Sequence, residues 1–407
     1  MGIRIITILV FAFLIGSCSS DAGNITENPT EVKNNIQLKH PPASKPPPDI
    51  KTTLQDSVQE SLTTNPASQM GTAMSQYKLK SPWDTRIFNN DAQGNKCSNP
   101  VGLPIHIPDR LENGEVDQKA WDAFTNVDNI LYLSDEAVSK GNNIAASCVL
   151  EHLYYWAQND AFIINKECAT SSKEHWIHGY DRANFINGVL AIPYLQIRND
   201  PTLNKSKKAT VLSWFEKLYL CSKTRAEGML LNAKENGLGP HNQTYPSLLS
   251  VTTTSLVLDK VGEFEWSIEK YKESIATISE NGTSPNEIVH KMDWALHYHT
   301  LIINFSVHLS LLGEMNGFTG LFKDPALLRL TKQVLDSYDD PTYLKNLTGY
   351  EQTQDPLTTP WNLSWVEHMK RYNTDPRLSE LATKFQWKMD HSHTGGHPEY
   401  WWPEYWK

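Results

Sequence analysis

Lys291, Tyr298 and His299 are the residues whose types and spacing best suit proton transfer. They lie in the segment Lys-Met-Asp-Trp-Ala-Leu-His-Tyr-His, which we predict to be helical from about Ile288. A seven-residue step is two helical turns, so Lys291 and Tyr298 would project from one face, roughly 10 Å apart along the axis. A phenol beside cations ionises more readily, which suits a group that removes a proton and then returns it. The structural alternative is an ordinary core tyrosine flanked by solvated histidines.

A second candidate cluster is the segment Gly-Leu-Gly-Pro-His-Asn-Gln-Thr-Tyr at 237–245, which leads into a predicted helix from Pro246 to Leu258. Backbone N–H groups at the start of a helix attract anions. His241 and Asn242 are therefore candidates for binding a carboxylate. An N-cap formed by Asn242 or Thr244 is the structural alternative.

Other aromatic, amide and cationic side chains near predicted helix ends are candidates for binding a sugar chain by stacking and hydrogen bonding. These candidates are Trp156, Gln158, Asn159, Trp176, His178, Tyr180, Arg182 and His299, together with Arg86 and Lys80 in a loop that could close over the cleft as a lid. A tryptophan at helical spacing is also typical of a core, and an arginine of an ion pair.

Helical periodicity is frequent along the chain, whereas strand signals are scarce. Apolar residues at steps of three and four predict helices at 118–139, 143–158, 176–198, 207–222, 241–259, 263–279, 288–312, 325–339 and 376–389. Short breaks rich in Asn, Gly, Pro and Thr separate them. The pattern predicts helical hairpins in one domain, arranged as a solenoid, a bundle or a closed double ring. The lack of a fixed-period repeat argues against the common solenoids.

The overall charge restricts the choice of partner. The 407-residue chain has 37 Lys+Arg against 46 Asp+Glu, a net charge of −9, and 39% hydrophobic residues. Nucleic acid is a poor candidate, because phosphate binding depends on a basic patch and no Lys/Arg-rich run is present. Exposed charges more than about 10 Å apart are largely screened, so a locally cationic cleft could still bind a polyanion.

Three segments resemble the periplasmic mannuronate-type alginate lyases. The segment Cys-Val-Leu-Glu-His-Leu-Tyr-Tyr-Trp-Ala from Cys148 is similar to one of their helices, and Ala-Leu-His-Tyr-His at 295–299 is similar to the helix that supplies their catalytic tyrosine. His241 falls where the family has an Asn-Asn-His-x-x-Tyr motif. The resemblance covers roughly residues 120–320. It implies an all-α fold, an (α/α) toroid or incomplete barrel of six or seven helical hairpins.

The resemblance also implies a function, which is cleavage of a 1,4-linked uronic-acid polymer such as alginate by β-elimination. Tyr298 would take the C5 proton and protonate the departing O4, while His241, helped by Lys291 and Asn242, would neutralise the substrate carboxylate. Two departures from the family matter. Pro240 stands where the family has an Asn, and Lys291 stands where it has an Arg, so a bidentate grip on a carboxylate is lost.

The sequence leaves several functional alternatives open. Mannuronate needs only one base, whereas guluronate needs a second, for which His241 is the candidate; a glucuronan is also possible. A glycoside hydrolase would need two carboxylic residues about 5–10 Å apart, drawn from Glu151, Asp160, Asp181 and Asp293. A surface glycan-binding lipoprotein without catalysis is a third class.

The first residues indicate export. Residues 1–17 have the cationic start and short apolar core of a signal peptide, and Leu-Ile-Gly-Ser-Cys ending at Cys18 resembles the bacterial lipobox, whose cysteine is lipidated. We expect an exported lipoprotein, periplasmic or on the outer membrane, that contacts a membrane only through its lipid. A simple secretory signal is the alternative. Residues 18–75 are typical of a tether, and 76–407 form the toroid domain.

Cysteines and histidines outside the proposed site raise two further questions. Export permits disulfides, but the sequence does not choose among the pairings of Cys97, Cys148, Cys168 and Cys221, nor between disulfides and buried thiols. The tail carries His391, His393, His397 and Glu399 at a spacing that is unspecific for zinc. We expect no metal and no cofactor, and a tail that packs across the toroid or lines its cleft.

Overall fold

The computed structural model describes residues 78–88, 118–163, 178–340, 342–352, 360–389 and 394–406. For 118–126 and 178–187 it describes the helical backbone only. The described residues all belong to one compact unit. The predictions for Cys18, the 18–75 tether, Cys97, Cys168, Trp176, His391 and His393 lie outside the described residues, as do the side chains of His178, Tyr180, Asp181 and Arg182.

Helices account for most of the described residues, and no described strand is longer than one bridging residue. The helices are α1 (Gln118–Lys140), α2 (Asn143–Gln158), α3 (His178–Ile197), α4 (Lys205–Asn236), α5 (Thr244–Leu258), α6 (Val261–Ile275), α7 (Pro285–Lys291), α8 (Ala295–Met315), α9 (Pro325–Asp339), α10 (Thr342–Thr348), α11 (Ser364–Met369) and α12 (Pro376–Phe385). None of these helices is long and apolar enough to cross a membrane.

The boundaries of these helices follow from local side-chain chemistry. Asn142, Asn204, Asp324 and Asp375 cap α2, α4, α9 and α12, since each side-chain oxygen accepts a hydrogen bond from a first-turn N–H group. Gly237 ends α4 at a φ of 69°, in the left-handed region where glycine carries no steric penalty.

The helices form two layers. Helices α1, α3, α5, α8 and α11 contact one another in succession, and each packs against the helix that follows it, α2, α4, α6, α9 or α12. The inner helices α5 and α8 are buried on nearly all sides, which accounts for their weak amphipathicity. The predicted all-α toroid of helical hairpins is confirmed, and the number of hairpins, six or seven, stays a prediction.

Small residues allow the inner helices to approach closely. A side chain at Gly188 on α3 would lie 3.0 Å from the Cα atom of Ser250 on α5. The hydroxyl of Thr253 donates to the carbonyl oxygen of Gly188 at 3.1 Å, and the Ser222 and Ser250 hydroxyls lie 2.7 Å apart. Buried hydroxyls are thus hydrogen-bonded inside the core, which removes most of the penalty for burying them.

A segment at 78–88, the N-terminal strap, joins the C-terminal ends of three inner helices. Both carboxylate oxygens of Asp84 accept hydrogen bonds from Nη2 of the buried Arg198, which follows α3, at 2.7 and 2.8 Å. The backbone N–H of Leu79 donates to Asp259 at the end of α5, and that of Lys80 donates to Asn316 at the end of α8. The strap therefore lies across one end of the toroid.

The C-terminal tail covers the same end of the toroid. Trp401 is fully buried, and its ring centroid lies 4.6 Å from those of Trp83 and His308 and 5.7 Å from that of His368. These rings belong to the strap, α8 and α11. The prediction that the tail packs across the toroid is confirmed.

Cys148 and Cys221, on α2 and α4, are both disulfide-bonded.

Candidate active site

The helical segment is interrupted between Lys291 and Tyr298. Helix α7 ends at Lys291, a short 3₁₀ turn covers Met292–Trp294, and α8 begins at Ala295. Met292 has φ 44° and ψ −105°, a conformation that a non-glycine residue adopts at a cost of about 1–3 kcal/mol. The prediction of one continuous helix from Ile288 is wrong, and the site lies at a strained junction between two helices.

The side chains of the two candidate residues, Lys291 and Tyr298, are in contact. The Lys291 ammonium nitrogen lies 4.6 Å from the centroid of the Tyr298 ring. This separation is within cation–π range. Tyr298 is half-buried, so its side chain is not sealed in the core. The structure therefore brings the side chains of Lys291 and Tyr298 together, as their expected common face implies.

Aromatic rings cluster around His297, the residue that precedes Tyr298. The His297 ring packs edge-on against Tyr298, with centroids 5.1 Å apart, and also contacts Trp294 at 5.6 Å and Trp361 at 5.9 Å. Trp294 and Trp361 are half-buried. Partly exposed aromatic faces of this kind suit stacking against a sugar ring.

His241 lies just before α5 and is buried, with 6% of its surface exposed. Its Nδ1 accepts a hydrogen bond from the backbone N–H of Gln243 at 3.2 Å, so the neutral ring carries its proton on Nε2. Burial, and then the charges of Lys291 and Arg225, lower the pKa of His241 to about 3. At working pH His241 is a neutral hydrogen-bond donor.

The start of α5 already faces a carboxyl group of the protein itself. The fully buried carboxyl of Glu287, on α7, accepts a 2.6 Å hydrogen bond from the backbone N–H of Asn242. Burial raises the pKa of Glu287 to about 7, although Lys291 and this hydrogen bond oppose the shift. The expectation that these N–H groups bind the substrate carboxylate therefore changes, because Glu287 accepts the Asn242 hydrogen bond. The Asn242 side chain is buried, with 4% of its surface exposed.

Arg225 is a candidate site residue that the sequence did not indicate. It lies on α4, is 7% exposed, and its Nη2 donates to Oε1 of Gln243 at 3.5 Å. Burial lowers the pKa of Arg225 to about 9, and its charge acts on His241. The predicted helix ended at Ser222, whereas α4 continues to Asn236. The available sequence signal for this longer helix was the helical spacing of four residues that are buried in the structure, Arg225, Ala226, Met229 and Ala233.

Two predicted substrate contacts are buried in the protein instead. His299 is fully buried; its Nδ1 bonds to the Ala295 carbonyl at 2.6 Å and its Nε2 accepts the Ser284 N–H at 2.8 Å. Trp156 is 1% exposed and packs edge-on against Phe162. Both residues therefore have structural roles, and the predicted contacts of His299 and Trp156 with substrate do not fit this structure.

The predicted lid lies at the wrong end of the molecule. Arg86 and Lys80 belong to the strap, and Arg86 packs over the Trp406 ring at 5.6 Å. Lys80 is bonded to Asn316, which is 18 residues beyond Tyr298 along α8, or about 27 Å at 1.5 Å per residue. These two residues cannot close over Tyr298.

The remaining candidates give a mixed outcome. Gln158 and Asn159 are exposed at the end of α2, where Gln158 donates to the Tyr154 hydroxyl and Asn159 to the Tyr155 carbonyl. Their contact with substrate stays a prediction.

Among the hydrolase candidates, Glu151 pairs with Lys207 and Asp160 with Lys217. Across the described ranges, no group of three or more His, Cys, Asp or Glu side chains could hold a metal ion.

Comparison with solved structures gives the class of the fold, a helical toroid. Alginate lyase A1-III from Sphingomonas species A1 matches with a TM-score of 0.56 at 16% identity, over 82% of this chain and 91% of that one. Its tyrosine-to-phenylalanine variant, complexed with a tetrasaccharide, matches with a TM-score of 0.60 at 16% identity, over 82% and 90%.

Sequence comparison gives the family. The model described as alginate lyase matches residues 71–343, and the chain belongs to this family. An alginate lyase of Pseudomonas fluorescens (strain SBW25) is 25% identical over 225 residues, which are 54% of this chain and 56% of that protein. A polysaccharide lyase of Stenotrophomonas maltophilia (strain K279a) is 23% identical over 255 residues, 62% and 71% of the two chains. The chain thus spans just over half the length of the Pseudomonas relative.

Proposed function

We propose that this protein is a polysaccharide lyase that cleaves alginate by β-elimination and leaves C4–C5 unsaturated uronate ends. The observation that carries the proposal is the placement of the Lys291 ammonium group 4.6 Å from the Tyr298 ring. The same ammonium group is close enough to lower the pKa of His241. A phenol, an ammonium and a neutral imidazole thus share one electrostatic environment. Membership of the alginate lyase family supports the same reaction.

The substrate carboxylate is neutralised first in this proposal. The C5 hydrogen of a uronate is too weakly acidic to leave unless the adjacent carboxylate is masked, because negative charge develops there in the transition state. Lys291 and Arg225 supply positive charge, and the Nε2–H of His241 supplies a hydrogen bond. Cations in a partly buried site act more strongly than they would in water.

Tyr298 then carries the proton through a balanced elimination. Its phenolate, stabilised by the ammonium of Lys291, takes the C5 proton. The C5–H electron pair forms the C4–C5 double bond and the C4–O4 bond breaks. The new phenol donates the same proton to O4, which regenerates the phenolate. The reaction therefore consumes no net proton.

The state of His241 favours mannuronate over guluronate. In mannuronate the C5 hydrogen and O4 lie on one face of the ring, so a single group can serve both. Guluronate requires a second base on the opposite face. A histidine whose pKa is lowered to about 3 holds a proton poorly and is a weak base. We therefore propose polymannuronate as the preferred substrate.

Ultraviolet absorbance of the new double bond tests the reaction. The full-length protein is incubated with polymannuronate, polyguluronate and glucuronan, and absorbance and reducing ends are followed together. We expect absorbance to rise fastest with polymannuronate and to be lost in Tyr298→Phe. Reducing ends without absorbance would indicate a hydrolase, and neither signal would indicate a binding protein. An active Tyr298→Phe variant would contradict the role of Tyr298.

We also propose that the enzyme is an exported lipoprotein anchored through Cys18. The support is the sequence of the first 18 residues alone. In a bacterial host, the wild type should incorporate labelled fatty acid and fractionate with membranes, whereas Cys18→Ser should do neither. Equal labelling of both proteins would exclude Cys18 as the anchor.

A further inference from the structure

The side-chain amide of Gln352 connects the two sides of the break between Lys291 and Tyr298. Its Oε1 accepts a hydrogen bond of 2.9 Å from the backbone N–H of Leu296, in the first turn of α8. Its Nε2 donates to the carbonyl of Met292 at 3.1 Å, and also to that of Tyr350 at 3.2 Å. One amide therefore contacts the first residue of the 3₁₀ turn and also the first turn of the helix that follows it.

The Leu296 N–H needs a partner from outside the helix, whereas the Met292 carbonyl also accepts the backbone N–H of Ala295 within the 3₁₀ turn. The first N–H groups of a helix have no partner within the helix, and Trp294, at the N-cap position of α8, makes no side-chain capping bond. Met292 is held at a φ of 44°, which a non-glycine residue leaves unless its surroundings hold it there. Gln352 thus supplies a cap for α8 from a separate segment and fixes the strained residue.

We call the Gln352 hydrogen bonds to Leu296 and Met292 the clamp. Because Tyr298 lies in the first turn of α8 and Lys291 directly precedes Met292, the geometry of the clamp determines how these two side chains meet. We propose that Gln352 is a positioning residue for catalysis, which sets the separation of the Lys291 ammonium from the Tyr298 ring. The inference rests on the proposed function of Tyr298. It adds a residue that acts through the backbone of the junction.

Loss of the clamp should affect turnover more than binding. Gln352→Met keeps the approximate length and removes both donor and acceptor. We expect kcat on polymannuronate to fall roughly 10- to 100-fold, as a displacement of about 1 Å between reacting groups implies. KM should stay within about threefold of wild type. Gln333→Met, which removes a buried amide that bonds to Ser337 on α9, is the matched control and should retain wild-type kcat.

Gln352→Glu provides a test that a merely structural role would not pass. An ionised carboxylate accepts from Leu296 but cannot donate to Met292, whereas a protonated carboxyl can do both. The kcat of this variant, relative to wild type at each pH, should rise as the pH falls towards the ordinary carboxyl range near about 4.3. Gln352→Met should show no such rise.

The outcomes separate this inference from the proposed function. Unchanged kcat in Gln352→Met, a raised KM at constant kcat, or equal losses in the Met and Glu variants at every pH would each overturn the role of Gln352. Tyr298→Phe is measured in parallel. An active Tyr298→Phe would contradict the proposed function itself, whereas an inactive Tyr298→Phe beside a fully active Gln352→Met would overturn only the clamp.

Discussion

The carboxyl group of Glu287 accepts a 2.6 Å hydrogen bond from the backbone N–H of Asn242, the residue that follows His241. Glu287 is fully buried, and burial raises its pKa to about 7. The same carboxyl is near enough to Lys291 for the ammonium charge to oppose that shift. Near neutral pH it therefore changes between a neutral acid and an anion beside the residues that would bind a substrate carboxylate.

This titration should appear in the affinity for substrate. As the pH rises through about 7, the Glu287 anion cancels part of the positive potential of Lys291. KM for polymannuronate should then rise roughly three- to tenfold between about pH 6 and pH 8, as about 1 kcal/mol of charge interaction implies. In Glu287→Gln, KM should stay nearly constant over this range. Steady-state kinetics of both proteins provide the measurement, and a parallel rise in both would exclude Glu287.

The same group should affect stability with a defined sign. The pKa of Glu287 is about 7 when folded and about 4.3 when unfolded. The folded state therefore binds more protons between these values, and stability is lost as the pH rises through this window. Relative to wild type, Glu287→Gln should gain about 3 kcal/mol in the free energy of unfolding between about pH 4.5 and pH 8. Urea denaturation at both pH values measures the gain; a constant difference would show that Glu287 does not titrate there.

The sequence predicted those features that depend on residues close together in the chain. Apolar spacing predicted most helices, and the segments around His241 and Tyr298 indicated the candidate site, because both depend on neighbouring residues. The break at Met292 was not visible, since the segment around it has ordinary helix-forming composition. The contacts of Glu287 with Asn242, 45 residues away, and of Gln352 with Leu296, 56 residues away, depend on how helices meet. No spacing rule links such pairs.

Arg225 is a candidate site residue that we add to the proposed mechanism from its position beside His241. Replacing it with Met removes a buried cation whose charge lowers the pKa of His241. We expect the pKa of His241 to move upward, as followed by NMR, and kcat/KM on polymannuronate to fall by roughly 10- to 100-fold, as loss of one charge-stabilising group implies. Arg225→Lys, which keeps the charge, should retain more activity. An unchanged kcat/KM in Arg225→Met would place Arg225 outside the catalytic site.

Buried neutral histidines should make the protein sensitive to acid. Burial is the main cause that lowers the pKa of His241 to about 3 and those of His299 and His308 to about 4. The unfolded chain binds these protons from about pH 6.5 downward, so the stabilisation present above that pH is lost as the pH falls. At pH 5, each histidine should lower the free energy of unfolding by about 2 kcal/mol relative to neutral pH. Urea denaturation at pH 7 and pH 5 measures this loss. Between these two pH values, the free energy of unfolding of His308→Gln should fall by about 2 kcal/mol less than that of wild type. Equal losses would mean that His308 does not contribute.

The strap should contribute to stability without contributing to turnover. Asp84→Ala leaves the guanidinium of Arg198, whose side chain is 0% exposed, without its carboxylate partner. Breaking a buried pair in this way should lower the free energy of unfolding by about 3–5 kcal/mol. Lys332→Ala removes an exposed pair with Asp336 and should cost less than about 1 kcal/mol. Because the strap lies at the end of the toroid opposite Tyr298, kcat of Asp84→Ala should equal that of wild type at temperatures where both are folded. Urea denaturation and kcat measured on the same preparations distinguish the two effects, and a loss of kcat in the fully folded Asp84→Ala variant would show that the strap acts on the site.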